Sequence, residues 1–180
     1  MRSSNWINVW NNISGKVPSR KKITLSKMIK LNAFGTTKGG LSSKYWLSYV
    51  NNILKLSKIN KGDKVLEVGC GAGAFLYPFY KKGIKCFGVD YSKNLISVCK
   101  RAIKNGIFLT NRANSLRKFK NAYFDLVISN SVFQYFDNYH YTEKVIKEMI
   151  RVIKKNKKIF ILDIPDLKKK SHYEKFVIKN

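Results

Sequence analysis

The chain is 180 residues and 20.8 kDa, a size that allows one domain with one core and excludes a separate second catalytic domain. Hydrophobic residues make up 44%, charged residues 26% and aromatic residues 13%, a balance that excludes the apolar-poor composition of a disordered chain. Against 36 Lys and Arg stand only 10 Asp and Glu, so the net charge of +26 and the pI near 10.1 exclude a neutral or acidic surface.

The first 43 residues carry Trp6, Trp10, the basic cluster Arg20-Lys21-Lys22 and a glycine-containing stretch over 35–40, and they read as an irregular or partly helical extension to a domain spanning 44–180. Over 44–57, Tyr45, Trp46, Tyr49, Val50, Ile53, Leu54 and Leu56 recur at spacings of three and four, which predicts an amphipathic helix ended by Asn60-Lys61-Gly62-Asp63. A strand over 64–68, a helix over 74–82 and a strand over 85–89 follow. Ser92 then caps a helix through about 105 whose inner face is Leu95, Ile96, Cys99, Ala102 and Ile103. A short strand over 107–109, a buried strand over 124–129, a helix over 141–154 and a last strand over 158–163 complete a β-α-β-α-β-β-α-β order. Right-handed crossovers and helices on both faces make a doubly wound, mostly parallel sheet the economical α/β solution.

The most informative residues are Val65-Leu66-Glu67-Val68-Gly69-Cys70-Gly71-Ala72-Gly73, which leave a strand and enter a helix. Glycines there let backbone N–H groups approach a ligand at the switch point of such a sheet. Seventeen residues after Gly73 the second strand ends in Asp90-Tyr91-Ser92, where a carboxylate can accept hydrogen bonds from both hydroxyls of a ribose. Gly69-x-Gly71-x-x-Ala74 also satisfies the dinucleotide fingerprint. Glu67 argues against it, because a carboxylate two residues before the first glycine repels a pyrophosphate and welcomes the ammonium of an amino-acid tail. The fourth strand reads Phe124-Asp125-Leu126-Val127-Ile128-Ser129-Asn130.

With these motifs in this order, the stretch from about 44 to 163 resembles class I S-adenosylmethionine-dependent methyltransferases, which have a Rossmann-like fold. More narrowly, VLEVGCGAGAFL over 65–76, GVDYS over 88–92 and SVFQYF over 131–136 look like a bacterial small-molecule branch often assigned to surface-glycan or secondary-metabolite pathways. The resemblance implies S-adenosylmethionine as cofactor. Glu67, Gly69, Cys70, Gly71 and Gly73 would surround its methionine part, with Cys70 contributing mostly through position. Asp90 would hold the ribose hydroxyls, and Tyr91 would flank the adenine. The family commonly places an acidic residue after the third strand to contact the adenine amine; this chain has Asn111-Arg112-Ala113-Asn114-Ser115 there, so Asn114 is expected to supply a carbonyl oxygen instead. Ser129 and Asn130 close the fourth strand, where the family places the methyl group and its acceptor.

Methyl transfer from a sulfonium is an in-line displacement and demands alignment and exclusion of water more than any particular side chain. No catalytic residue is therefore assigned. His140 reads as a capping or surface residue, Asp137 and Asn138 as a helix start, and Tyr135 lies near the crevice, while Gln134 stands where relatives often carry His. The pair Tyr77 and Lys81 lies in the helix after the glycine loop, where no dehydrogenase keeps its catalytic pair. Cytosine C5 and adenine N6 methylation are disfavoured, because no Pro precedes a Cys and the fourth strand ends in Ser129-Asn130-Ser131-Val132.

Cys70, Cys86 and Cys99 are odd in number, form no CxxC pair and read as reduced packing residues, so no metal site is expected. No stretch reaches the roughly 20 apolar residues of a membrane span, and the first 15 residues lack the apolar core of a signal peptide, which predicts a cytoplasmic protein. The acid-free stretch before Asp63 has the charge of a transit peptide but favours Lys over Arg. Only six basic residues are Arg, and Asn and Ile are abundant, as A+T-rich coding produces, so the charge has a compositional reading; such coding does not explain the scarcity of Asp and Glu, which leaves RNA, ribosomes or an anionic glycolipid as candidate partners of the basic surface. Only 17 residues follow Asp163, so the sheet is expected to lack the family's last two strands. Its fifth strand is then an edge covered by a helix over 166–176, by the N-terminal segment, or by a homodimer or partner subunit. The expected function is methyl transfer to an oxygen, nitrogen or carbon of a small molecule, sugar-linked ones included, with the N-terminal segment as lid and acceptor pocket. The alternatives are an RNA- or ribosome-directed enzyme and a non-catalytic or partner-dependent subunit.

Overall fold

The computed structural model describes Trp10, residues 23–32, residues 41–166 and Lys168. The chain first forms α1 (Leu25–Leu31), whose start is fixed by the Thr24 side chain accepting from the Lys27 N–H. Ser42 caps α2 (Ser43–Ser57) in the same way through the Tyr45 N–H, and Lys58 ends it in the left-handed conformation at φ 56°. Trp46, Val50, Ile53 and Leu54 of α2 face inward as their spacing predicts. Tyr45 and Leu56, expected on the same stripe, are instead 71% and 62% exposed: the stripe is narrower than the run of apolar letters.

Then come β1 (Lys64–Val68), α3 (Leu76–Lys81), β2 (Lys85–Asp90), α4 (Lys93–Ala102), β3 (Ile107–Thr110), β4 (Phe124–Asn130), a 3-10 turn (Phe133–Tyr135), α5 (Tyr139–Val152) and β5 (Ile153–Leu162). The strands lie in the order β3-β2-β1-β4-β5 and every pairing is parallel. From β1 the chain winds outward through β2 and β3, then returns to the other side of β1 as β4 and β5. The crevice of such a sheet opens between β1 and β4, beyond their C-terminal ends.

The largest shifts of expected boundaries each have a local reason. Residues 69–75 stay in successive turns that shape the glycine loop, so α3 begins at Leu76 rather than at 74, which still leaves Pro78 in its first turn. At Ile103 the backbone leaves helical geometry (φ −121°, ψ 80°) and its side chain is fully buried, so α4 stops at Ala102 rather than near 105. Ile153 passes directly from helix to strand, five residues before the expected start at 158. The pairing with β4 shifts register between Phe124 and Leu126, and the intervening lysines Lys154 and Lys157 both reach Asp125. The expected helix over 166–176 lies outside the described residues, apart from its first positions.

Apolar side chains cover both sheet faces. Val65, Leu126 and Ile128 meet α1, α2, α3 and α4 on one side through Met28, Trp46, Phe79, Leu95 and Cys99. On the other, Leu66, Val68, Phe87 and Val127 meet α5 through Val145, Met149 and Val152, with Leu116 and Phe119 closing the layer. No helix among the described residues is long and apolar enough to cross a membrane.

Candidate functional site

Strand parity places the polar residues of the site. Side chains alternate across a sheet, so Glu67 shares the face of Val65, Asp90 that of Cys86 and Asn130 that of Ile128, all on the side covered by α1 to α4. Gly88 lies between Glu67 and Asp90 in this layer, and a Cβ there would collide with the Cys70 thiol and the Phe108 ring.

The glycine loop is held by an almost complete set of internal hydrogen bonds. Val89 O accepts from the N–H groups of Gly69 (2.7 Å) and Cys70 (3.1 Å), and Cys70 O accepts from Gly73 N–H (2.9 Å). Gly71 N–H donates to Asp90 at 2.8 Å, and Ala72 N–H to the Asn32 side-chain oxygen at 2.7 Å. Gly69 and Gly73 sit at φ 80° and 82°, where an L side chain is strained, and a Cβ would meet Val132 at the first and the Cys99 thiol at the second. The Trp46 indole donates to Ala74 O at 2.9 Å, pinning α2 over the end of the loop.

Asp90 receives the Gly71 N–H on one carboxylate oxygen and the Ser92 N–H on the other, both at 2.8 Å. Each oxygen keeps a further lone pair. Burial pushes its carboxyl above the usual range, more than those two N–H groups pull it down. Glu67, 2% exposed on the central strand, has one carboxylate oxygen with no hydrogen-bond partner among the described residues. Burial, and secondarily the charge of Asp90, pushes its carboxyl well above the ordinary value. A buried, unpartnered carboxylate oxygen is costly and natural proteins tolerate few of them, so Glu67 calls for a donor beyond the described residues. The cofactor named by the sequence motifs supplies one in its ammonium group, and the chemistry of the residues present fits it. Asp90 offers acceptors for ribose hydroxyls, Glu67 an acceptor for an ammonium, and the three glycines a backbone surface without side chains.

The predicted site residues divide. Glu67, Gly69, Gly71, Gly73 and Asp90 converge. Cys70 belongs to the loop by its backbone only: its thiol is fully buried against Gly88 and Cys99, and burial pushes its pKa far up, as it does for Cys86. All three cysteines are free and buried, and no metal-ligating cluster occurs among the described residues. Tyr91 is half-buried next to Asp90 and Tyr135, and burial with those neighbours pushes its phenol up. Asn130 stands at the end of β4 with its oxygen accepting from Tyr49 at 2.6 Å. Ser129, by contrast, is fully buried and donates to Val68 O at 3.0 Å, a bond that ties β4 to β1. Asn114 lies on the loop between β3 and β4, where its backbone bonds to Tyr141 of α5. The residue that meets Asp90 on this side is Asn111, through its N–H to Asp90 O at 2.9 Å. His140 is 73% exposed in the first turn of α5, and Asn138 caps that helix.

Three residues of the site lie outside the sequence expectations: Asn32, Tyr49 and Asp163. Asn32 follows α1, and only the fold brings it 40 residues along the chain to the loop. Tyr49 reads as one more apolar letter of α2, and Asp163 as the last letter of a strand. Their polar partners, Asn130 and Ser131, come from a different element.

A family model for a methyltransferase domain matches residues 66–161. The chain therefore belongs to the methyltransferase domain family, whose cofactor is S-adenosylmethionine. It is 30% identical to the ubiquinone biosynthesis O-methyltransferase of Pelagibacter ubique over 118 residues, 61% of this chain and 48% of that protein. The chain spans less than half the length of the curated relatives it matches. In fold it is similar to phosphoethanolamine N-methyltransferase 1 of Haemonchus contortus, solved with phosphoethanolamine and S-adenosylhomocysteine (TM-score 0.64, 16% identity, 88% of this chain and 31% of that one). It is likewise similar to a SAM-dependent methyltransferase from Aquifex aeolicus (TM-score 0.55, 23% identity, 74% and 69% covered).

Proposed function

We propose that this chain binds S-adenosylmethionine in the crevice above β1, β2 and β4 and methylates a small molecule. The observation that carries this reading is the unpartnered Glu67 oxygen beside Asp90, two buried carboxylates in a chain of net charge +26. A cationic ligand relieves both. The cofactor supplies an electrophilic methyl group on a sulfonium sulfur. The chain's part is to hold and to exclude water. Asp90 takes the ribose hydroxyls, Glu67 the ammonium, and the backbone of Gly69 to Gly73 lies against the methionine part. Tyr91 flanks the adenine, Asn114 stands on its far side, and Asn130 faces the acceptor. The N-terminal helices α1 and α2 act as a lid, tied down by Asn32 and Trp46.

Titration of S-adenosylmethionine and S-adenosylhomocysteine by calorimetry tests this. Micromolar binding that Asp90→Ala abolishes supports it, and no binding by the folded chain refutes it.

A second reading is favoured by the charge: the +26 surface suits RNA or ribosomes as methyl acceptor. Labelled methyl appearing in RNA or ribosomes at low salt, and fading as salt rises, supports that reading over the first. A third rests on β5, an edge of the described sheet, which suits a second copy or a partner subunit. A sedimentation mass above the monomer, with cofactor binding only in that form, supports it.

A further inference from the structure

A directional chain of hydrogen bonds crosses the C-terminal ends of β4 and β5. The Tyr49 hydroxyl donates to the Asn130 side-chain oxygen at 2.6 Å, the Asn130 amide donates to the Ser131 hydroxyl at 3.4 Å, and the Ser131 hydroxyl donates to a carboxylate oxygen of Asp163. Every hydrogen is handed in one sense, from α2 across β4 to the residue after β5. The hydroxyl hydrogens of Tyr49 and Ser131 are thereby spent, and the one spare hydrogen is the second on the Asn130 amide, in a residue only 5% exposed. What remains to offer a visitor is lone pairs: those of the Tyr49 oxygen and the second oxygen of exposed Asp163.

The charge points the same way. Among the described residues, no Lys or Arg forms an ion pair with Glu67, Asp90 or Asp163, although the chain carries 36 of them. Burial, with Asp163 and then Glu67 nearby, pushes the Tyr49 phenol up to about 12, so it keeps its hydrogen, and the chain keeps its direction, at any physiological pH. Ser131 and Asp163 hold their places at φ 57° and 56°, left-handed conformations that are strained for a non-glycine residue and cluster at functional sites. The Ser131 N–H to Leu162 O bond at 3.0 Å fixes the pair.

We infer that Tyr49, Ser131 and Asp163 form the acceptor subsite of the crevice, and that this subsite takes an amine, entering as its ammonium. This rests on the methyltransferase reading and narrows its acceptor. An ammonium brings three donors to a surface whose free positions, apart from one Asn130 hydrogen, are acceptors; a hydroxyl brings one, and a carboxylate or phosphate brings none and is repelled. Asp163 also supplies what an ammonium needs before it can react. An N–H bond breaks, an O–H bond forms on the Asp163 carboxylate, and the electron pair stays on nitrogen as the nucleophilic lone pair.

The test uses the full chain with saturating S-adenosylhomocysteine at about 0.15 M salt, which screens the lysine surface. Glucosamine, glucose and glucuronate present one ring as cation, neutral and anion, and their binding is followed by saturation-transfer NMR in the wild type, Asp163→Asn and Tyr49→Phe. Asn tolerates the left-handed backbone, so Asp163→Asn keeps the local fold. Glucosamine is expected to bind about tenfold or more tighter than glucose, the effect of one charge-assisted hydrogen bond, with glucuronate weakest. Asp163→Asn is expected to level the three, and Tyr49→Phe to weaken glucosamine while S-adenosylhomocysteine still binds. Glucose or glucuronate binding as well as glucosamine, or no glucosamine binding that Asp163→Asn removes, overturns the inference and leaves the cofactor reading standing. Failure of S-adenosylhomocysteine to bind overturns both.

Discussion

The two ends of the sheet treat their carboxylates in opposite ways. At the N-terminal end of β4, Asp125 is 7% exposed and fully partnered: Lys154 lies at 2.7 Å, Lys157 at 3.7 Å, and the Lys64 N–H donates at 3.0 Å. Burial alone would push its carboxyl up, but the Lys154 hydrogen bond, the Lys64 N–H and the charges of both lysines outweigh it and hold it below the usual range. On α5, Glu148 is likewise clasped by Arg151 at 2.6 Å. At the other end Glu67 and Asp90 are as deeply buried, yet both are pushed up and neither has a cationic partner within the described chain. A sequence with 36 basic and 10 acidic residues pairs its acids easily. Carboxylates left unpaired in such a chain mark where a ligand's positive charge belongs.

The largest effect that sharpens this contrast is expected at Asp90. Asp90→Ala removes both acceptors for the ribose and the anchor of Gly71, and should weaken S-adenosylhomocysteine about a hundredfold or more, near 2.7 kcal/mol, by calorimetry. Asp125→Ala, at the opposite end, should cost about 2 kcal/mol of unfolding free energy because it strands two lysines and a backbone donor, while leaving cofactor affinity unchanged. Chemical denaturation and calorimetry on one sample separate the two outcomes; equal loss of affinity in both variants would break the comparison.

Glu67→Gln should do the reverse to stability. A carboxyl raised in the folded state binds its proton more tightly there than in the unfolded chain, so the ligand-free wild type should lose stability as pH rises from the ordinary glutamate value of 4.5 upward. The amide removes that loss. Melting curves against pH should be flatter for Glu67→Gln, with a gain of about 1 kcal/mol at neutral pH. Asp125 has the opposite sign: its contribution is present above the ordinary aspartate value of 3.8 and is lost as pH falls through its lowered folded value. The smallest effect is expected at Asn32. Asn32→Ala leaves the Ala72 N–H without its partner and should cost about 1 kcal/mol, read as a lower melting temperature.

How far the letters alone carry depends on whether a feature is local. The glycine loop, Glu67 and Asp90 are legible because strand, turn and carboxylate follow one another within 24 residues, and strand parity then puts both carboxylates on one face. Helix starts such as Ser92 and Asn138 are legible for the same reason. The register shift where β5 meets Phe124 is not, because Lys154 to Lys157 read as a polar helix end until Asp125, from another strand, draws two of them in. Ser129 looks like a site residue from its place at the end of β4, but its hydroxyl is turned to Val68 O. Asn32 and Tyr49 carry no motif; only the packing of α1 and α2 onto the glycine loop and β4 gives them polar partners.

The most direct measurement of the central claim is the pH titration of the Glu67 carboxyl carbon by NMR, with and without S-adenosylhomocysteine, assigned by Glu67→Gln. The ligand-free chain should show Glu67 titrating well above 4.5, and the ligand's ammonium should bring it down. A Glu67 that titrates in the ordinary range without ligand, or that ignores the ligand, would contradict the claim that this end of the sheet is left unpaired to receive a cation.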